Sequence, residues 1–397
     1  MKEKKDNKRP IRVMYVYHHL AIVGGIERVL TDKMNYLSDN GFVVSLITYE
    51  QGSHPIAFHL SKEIIHTDLN TRFFPLDNYP LIIRLIKKFK TKLLLQHRLQ
   101  VQVNSFRPDI IVVIAGDIRT CDILNKIKTS AKKIAESHTN IKYTMSDPSK
   151  RNGILSLLIN KLYIEYQCRK IRKMDMLVTL TDGSAKEWRK YTKNITVIPN
   201  PLTLYPTEIN TKKEFSNRII SVGRFDYQKG FDILVKAFTI IADKCPNWSL
   251  EIFGEGNDKT RIKNMISYNN LENRIHLHPA SSTIYEEYKK SDFYVMSSRY
   301  EGFGLVLIEA MSCGLPCISF RCKHGPEDII TNDIDGILVK DGDYNELAET
   351  ILWLCNHPTQ ILEMSCAARE KAQKYKKENI MPLWIKLFHK LSEPSHQ

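Results

Sequence analysis

The sequence predicts an α/β protein made of two successive doubly wound domains, each a parallel sheet covered by helices on both faces. Three observations predict it. The chain has 397 residues, too long for one ordinary core and suited to two domains of about 200 residues. Short β-branched runs alternate with amphipathic stretches, the pattern of repeated strand–helix units. The alternation stops once, at Ile198-Pro199-Asn200-Pro201, and then restarts.

In the first half Ile11–Tyr17 reads as a buried strand, Glu27–Ser38 as a helix and Phe42–Thr48 as a strand. Further strands are expected at Asp109–Ala115, Lys133–Glu136, Met176–Leu180 and Thr196–Ile198, with helical pattern at 80–104, 118–128 and 151–173. The prolines around Asn200 fix an extended segment, so residues 10–200 form the first domain and 201–378 the second. The second half predicts strands at Arg218–Val222, Ser249–Phe253, Arg274–His278, Phe293–Met296 and Pro316–Phe320. Helices fall between them at Gly230–Asp243, 257–268, 283–290 and Leu305–Cys313. From Tyr344 to Leu391 the chain reads as helical, with breaks near Pro358 and Pro382.

Hydrophobic residues are 43% and charged residues 26%, which excludes a disordered chain. No apolar run approaches the roughly 18–20 residues that span a bilayer, and Val13 to Tyr17 is too short for a signal peptide; a cytoplasmic protein is the expectation. The eight cysteines lack zinc-site spacing even where Cys313, Cys317 and Cys322 cluster near His324, so buried reduced thiols are expected rather than a metal site. Residues 1–200 hold 34 Lys+Arg against 18 Asp+Glu, and residues 201–397 hold 24 against 26. The whole basic excess lies in the N-terminal half and points to an anionic partner.

Four constellations carry chemistry. In Val222-Gly223-Arg224-Phe225-Asp226-Tyr227-Gln228-Lys229-Gly230 a strand ends, a loop follows and a helix opens. Loops at the carboxyl ends of parallel strands bind ligands, and Arg224 and Lys229 can converge on a diphosphate; a solvated turn is the competing reading. In Tyr300-Glu301-Gly302-Phe303-Gly304-Leu305-Val306-Leu307-Ile308-Glu309, the helix starting near Leu305 offers free N–H groups to phosphate. Glu309, amid apolar neighbours, suits paired ribose hydroxyls unless it merely caps local backbone. Gly24-Gly25 after the first strand allows close approach but lacks the third glycine of a dinucleotide fingerprint. Glu136-Ser137-His138-Thr139-Asn140 ends a strand, and His138 either faces a cleft or is structural.

Together these residues resemble the retaining glycosyltransferases of the GT-B fold, specifically family 4. The resemblance rests on the Glu301…Glu309 pair, Gly223-Arg224 with Lys229-Gly230, Gly24-Gly25, and Gly325-Pro326-Glu327-Asp328-Ile329-Ile330 leading to Asp335-Gly336-Ile337-Leu338-Val339. It covers about residues 11 to 390. It implies two Rossmann-like domains facing across a cleft, the first for the acceptor and the second for the donor, with 379–397 a helix packing back on the first. It implies that Arg224, Lys229 and the backbone at Gly304, Leu305 and Val306 hold the donor diphosphate, with Gly254 and Phe303 in the same site. Glu309 would bind the ribose, Glu301 and His138 the transferred sugar, and Gly24 and Gly25 would approach from the opposite domain. Glu301, His138, Arg224 and Lys229 are thus the expected catalytic set.

Retention in such enzymes is explained by front-face attack, the leaving diphosphate helping to deprotonate the acceptor. Gly325-Pro326 replaces the Gly-Gly of many relatives and resembles enzymes of bacterial surface and capsular polysaccharide synthesis. A UDP-sugar donor, a glycan or polyprenyl-diphosphate-linked acceptor, and no nucleic-acid partner are expected. No metal is expected: Asp341-Gly342-Asp343 reads as a helix N-cap turn. The basic amphipathic stretch Leu81 to Leu95 places Ile82, Leu85, Ile86, Phe89 and Leu93 on one face, the pattern of a helix on anionic lipid; a solvated covering helix is the alternative. It puts the protein at the inner face of a membrane. Three rivals remain: another GT-B enzyme such as a nucleotide-sugar epimerase, a basic nucleic-acid-binding protein, and a non-catalytic scaffold.

Overall fold

The computed structural model describes residues 9–73, 79–114, 118–138, 162, 165–166, 168–207 and 215–393. The expected helix over 151–173 lies largely outside them, as do Ala115, Thr139 and Asn140.

The first domain carries β1 (Arg12–Tyr17), α1 (Gly25–Asp39), β2 (Val43–Thr48), β3 (Ile65–Asp68), α2 (Leu81–Phe106), β4 (Ile110–Ile114), α3 (Ile118–Leu124), β5 (Lys132–Ser137), β6 (Met176–Thr179), α4 (Asp182–Trp188) and β7 (Ile195–Val197). Its sheet has the order β3-β2-β1-β4-β5-β6-β7, and all its pairings are parallel. The second carries β8 (Arg218–Val222), α5 (Phe231–Ile241), β9 (Ser249–Phe253), α6 (Lys259–Tyr268), β10 (Ile275–His278), α7 (Ile284–Lys289), β11 (Phe293–Met296), α8 (Leu305–Ser312), β12 (Cys317–Phe320), α9 (Pro326–Ile329) and β13 (Gly336–Val339). Its parallel order is β10-β9-β8-β11-β12-β13. Then come α10 (Tyr344–Cys355), α11 (Pro358–Ala372) and α12 (Lys377–Ser392).

Ile110 to Ile114 and Phe293 to Met296 are buried throughout, as strands covered on both faces require. Strand order reverses between β1 and β4 and between β8 and β11. Those two switch points are where open α/β sheets bind ligands, and the loops after β1, β8 and β11 carry the glycine motifs.

Two expectations change. Pro382 does not break the last helix. It sits in the second turn, where its missing N–H costs one backbone bond. Ile380, Met381, Trp384, Leu387 and Phe388 bury the same helix against the first domain's core, which outweighs that loss. The break falls earlier, at Lys376, whose extended backbone separates α11 from α12. Strand β3 was not expected, because Ile-His-Thr-Asp is polar and only half buried; backbone pairing to β2 forms it.

Seven of the eight cysteines are buried, Cys366 is exposed, and all are free thiols. Asp343 caps α10 as the sequence suggests, accepting from the N–H groups of Asn345 and Glu346 at 3.2 Å each.

Candidate functional site

The second domain builds its half of the site by stitching the β8–α5 loop to the β11–α8 loop. Arg299 N–H donates to the Gln228 carbonyl at 2.8 Å. Gln228 Nε2 donates to the Tyr300 carbonyl at 3.1 Å, and Ser297 Oγ to the Lys229 carbonyl at 3.0 Å. Gly230 is required at the crossing. Its φ is +63°, and a Cβ would lie 2.2 Å from the Ser297 carbonyl oxygen. The stem of Lys229 runs over Gly223, where a Cβ would meet Lys229 Cγ at 3.0 Å. Thus guided, Lys229 Nζ reaches Glu301 Oε1 at 2.6 Å, the side chains being 15% and 7% exposed.

Gly304 opens α8 with φ +94°. Among the described residues no acceptor takes the N–H groups of Leu305 and Val306, which lie in the first helical turn. Glu309, one turn further, is buried, and the only described hydrogen bond to its carboxylate is a long one from Tyr288 Oη at 3.5 Å. Burial pushes its carboxyl up to about 7, although Arg28 and Lys229 pull it back; Asp32 adds to the rise. A carboxylate so starved of donors is suited to hydroxyl groups from a ligand.

The first domain meets this half at the opposite helix start. A Cβ on Gly25 would lie 3.5 Å from Leu305 Cδ2, so the N termini of α1 and α8 face one another. Gly24 leaves room for Glu27, whose Oε2 would lie 2.2 Å from a Cβ there and whose Oε1 accepts from Tyr17 Oη at 3.0 Å. On the far side of the interface, Glu187 of α4 binds Lys323 and lies 3.0 Å from His324 Nε2. Gly183 N–H donates to Asp328 Oδ1 at 3.4 Å.

The structure therefore gathers Gly25, Lys229, Glu301, Gly304, Leu305, Val306 and Glu309. Four other expected residues sit as follows. Arg224 is 70% exposed and pairs with Asp226 at 3.2 Å, at the border of the loop. The Phe303 side chain is buried, its ring against Tyr375 at 5.7 Å, and only its backbone can meet a ligand. Gly254 answers to packing: a Cβ would lie 1.8 Å from the Gly223 carbonyl oxygen. His138 is buried with Nε2 3.0 Å from Glu136 Oε2.

Sequence reasoning missed Arg28, which lies over the Phe58 ring at 4.9 Å and acts electrostatically on Glu309. Its position, one turn after Gly24, is the signal that could have found it, by the argument that singled out Glu309 after Gly304.

Comparison with known proteins agrees with this geometry. Residues 23–204 match the family model for glycosyltransferase family 4, and residues 207–378 match that for glycosyl transferases group 1. An uncharacterized glycosyltransferase of Haemophilus influenzae is 27% identical over 94% of this chain and 98% of its own length. The poly(ribitol-phosphate) alpha-N-acetylglucosaminyltransferase of Staphylococcus aureus is 29% identical over 57% of this chain and 46% of its own. The structure of a S. aureus TarM variant in complex with fondaparinux, alpha-GlcNAc-glycerol and UDP superposes with a TM-score of 0.74 at 17% identity, covering 95% of this chain and 99% of that one. Two family models spanning both domains, on a pair of facing Rossmann-like sheets, place the chain in the family 4/group 1 glycosyltransferases of the GT-B fold, as a hexosyltransferase.

Proposed function

We propose that the protein transfers a hexose or N-acetylhexosamine from a UDP-sugar to a glycan or lipid-linked saccharide, retaining the anomeric configuration, in surface-polymer synthesis. The observation that carries this reading is the row Lys229–Glu301, open N–H groups of α8, buried Glu309, faced by Gly25. It supplies a cation and helix N terminus for a diphosphate, a carboxylate for ribose, and a second carboxylate for sugar hydroxyls. The TarM structure, whose complex includes UDP and alpha-GlcNAc-glycerol, supports a uridine donor and an alpha linkage. In this reading the acceptor hydroxyl attacks from the face the diphosphate leaves, and the departing phosphate oxygen takes its proton. Lys229 and the α8 N–H groups stabilise the charge that develops there. Arg224 joins them by leaving Asp226 when donor binds. No metal takes part; activity that vanishes in chelator and returns with manganese would refute that.

The discriminating experiment is a thermal-shift screen against UDP-, GDP- and ADP-sugars. A ligand at about 100 times its dissociation constant adds roughly 2.7 kcal/mol. The expected result is stabilisation by a UDP-sugar alone; stabilisation by GDP- or ADP-sugars instead would reject the uridine assignment.

A second observation favours work at an anionic lipid surface. The C-terminal half of α2 buries Leu95, Leu99 and Val103 in the core, whereas its first turns expose Ile82, Leu85, Ile86 and Phe89 by 52% to 72%. Arg84, Lys87 and Lys88 flank that face, so its charge complements anionic headgroups. Among the described residues no helix is long and apolar enough to cross a membrane. The protein would thus sit against the inner face of the membrane and meet a polyprenyl-diphosphate-linked acceptor there. Flotation with phosphatidylglycerol vesicles at low salt is expected to carry the protein up, and Phe89→Asp to abolish it. Wild-type protein that stays at the bottom would refute the contact.

A further inference from the structure

Lys33 of α1 and Glu136 of β5 form an ion pair whose side chains are each 1% exposed. Both carboxylate oxygens lie 2.7 Å from Lys33 Nζ. A pair sealed this deeply loses hydration that its own attraction barely offsets, and apolar residues of like volume would stabilise the core as well or better. Stability alone gives no reason for it. The pair has a third member: His138 Nε2, 3.0 Å from Glu136 Oε2.

The protonation pattern follows from the geometry. Burial by itself would raise the Glu136 pKa, but Lys33 and His138 hold it below its usual value. The carboxylate is therefore ionised and can only accept, so Nε2 of His138 must carry a hydrogen. The ring cannot flip without losing that charge-assisted bond. Nδ1 is then the ring nitrogen left for a ligand, since the hydrogen bond described for the ring is the one at Nε2. The cluster is closed from the other end of the chain. The Trp384 ring of α12 has its centroid 3.5 Å from Lys33 Nζ, and Tyr15 stands at 6.0 Å.

We infer that Glu136 is a positioning residue for sugar transfer: paired with Lys33, whose ammonium lies over the Trp384 ring, it fixes the His138 imidazole with Nε2–H inward, leaving Nδ1 to accept from a hydroxyl of the transferred sugar. This rests on the reading of His138 as a sugar contact. It adds that the histidine's tautomer is set by a buried carboxylate two residues upstream, and that the C-terminal helix helps to hold it.

Two measurements on the full chain test it. The first needs no substrate. In ¹⁵N-histidine-labelled protein, the His138 signals, identified by their loss in His138→Ala, are expected to show hydrogen on Nε2. They should shift toward a tautomer mixture in Lys33→Met/Glu136→Leu, which removes both charges together and keeps the core filled. An Nδ1–H tautomer in the wild type overturns the inference.

The second is a double-mutant cycle on UDP release from UDP-glucose and UDP-N-acetylglucosamine. Lys33→Met/Glu136→Leu is expected to lower kcat about 10- to 100-fold, the worth of one charged hydrogen bond. UDP affinity should stay unchanged, and the same change made in His138→Ala should cost nothing more. If His138→Ala is slow but the charge-free variant is not, or if the losses multiply, Glu136 does not act through His138 and the inference falls. If His138→Ala turns over normally, the reading of His138 as a sugar contact falls, and the inference with it.

Discussion

Lys229 and Glu301 stand 72 positions apart in the chain and 2.6 Å apart in space. Each is poorly solvated, so each is costly without the other; removing one partner of such a pair costs about 3–5 kcal/mol. Stability and chemistry can be separated here. Lys229→Ala should unfold at lower denaturant and lose about 10²–10³-fold in kcat. Lys229→Met/Glu301→Gln should recover much of the stability and none of the rate. Recovery of turnover in the double variant would remove both residues from the chemistry.

Glu309 gives a prediction with a definite sign. Its carboxyl is raised from 4.5 to about 7. A raised value contributes stability that is fully present below 4.5 and is lost as pH rises through about 7. The ligand-free enzyme should therefore lose part of its stability across that window, and Glu309→Gln should flatten the slope. Ribose hydroxyls favour the ionised form, so UDP affinity should fall as pH drops from 8 to 5. Calorimetric titration of wild type against Glu309→Gln cancels the nucleotide's own titration. Parallel curves would take Glu309 out of the ribose contact.

Among the elements, the helix starts decide most. Gly230 opens α5 and Gly304 opens α8, both with positive φ. Gly230→Ala adds a left-handed alanine, about 1–2 kcal/mol, and a contact at 2.2 Å with backbone that cannot swing away. It should lower stability in urea by more than the conformational cost alone. It should also raise the donor KM, because the same crossing aims Lys229. Unchanged KM would show that the two loops are positioned independently.

At the scale of the whole molecule, the facing helix starts of α1 and α8 depend on contacts at a distance from them. Glu187 joins Lys323 and His324 across the interface, while α12 crosses back and buries Trp384 and Phe388 in the first domain. Glu187→Ala should loosen this arrangement and leave each core intact. Small-angle scattering should then give a larger radius of gyration without donor, returning toward the wild-type value when donor is added. An unchanged radius would assign the arrangement to α12 instead.

The sequence by itself determined the two-sheet architecture, because continuous apolar β-branched runs have few other places to go than a covered parallel strand. Arg218–Val222, Ser249–Phe253 and Phe293–Met296 were legible to the residue. It also singled out the loops of the candidate site, since glycines beside strand ends and a glutamate amid apolar residues are local signals. Only the tertiary structure decided partners. Lys229 meets Glu301, Phe303 turns into the core, Gly254 yields to a crossing carbonyl, Arg28 acts electrostatically on Glu309, and Lys33, lying over Trp384, pairs with Glu136. These depend on pairings between segments distant along the chain. Local propensity and spacing say where a side chain starts; the packing of both sheets and the returning C-terminal helix settles what it touches.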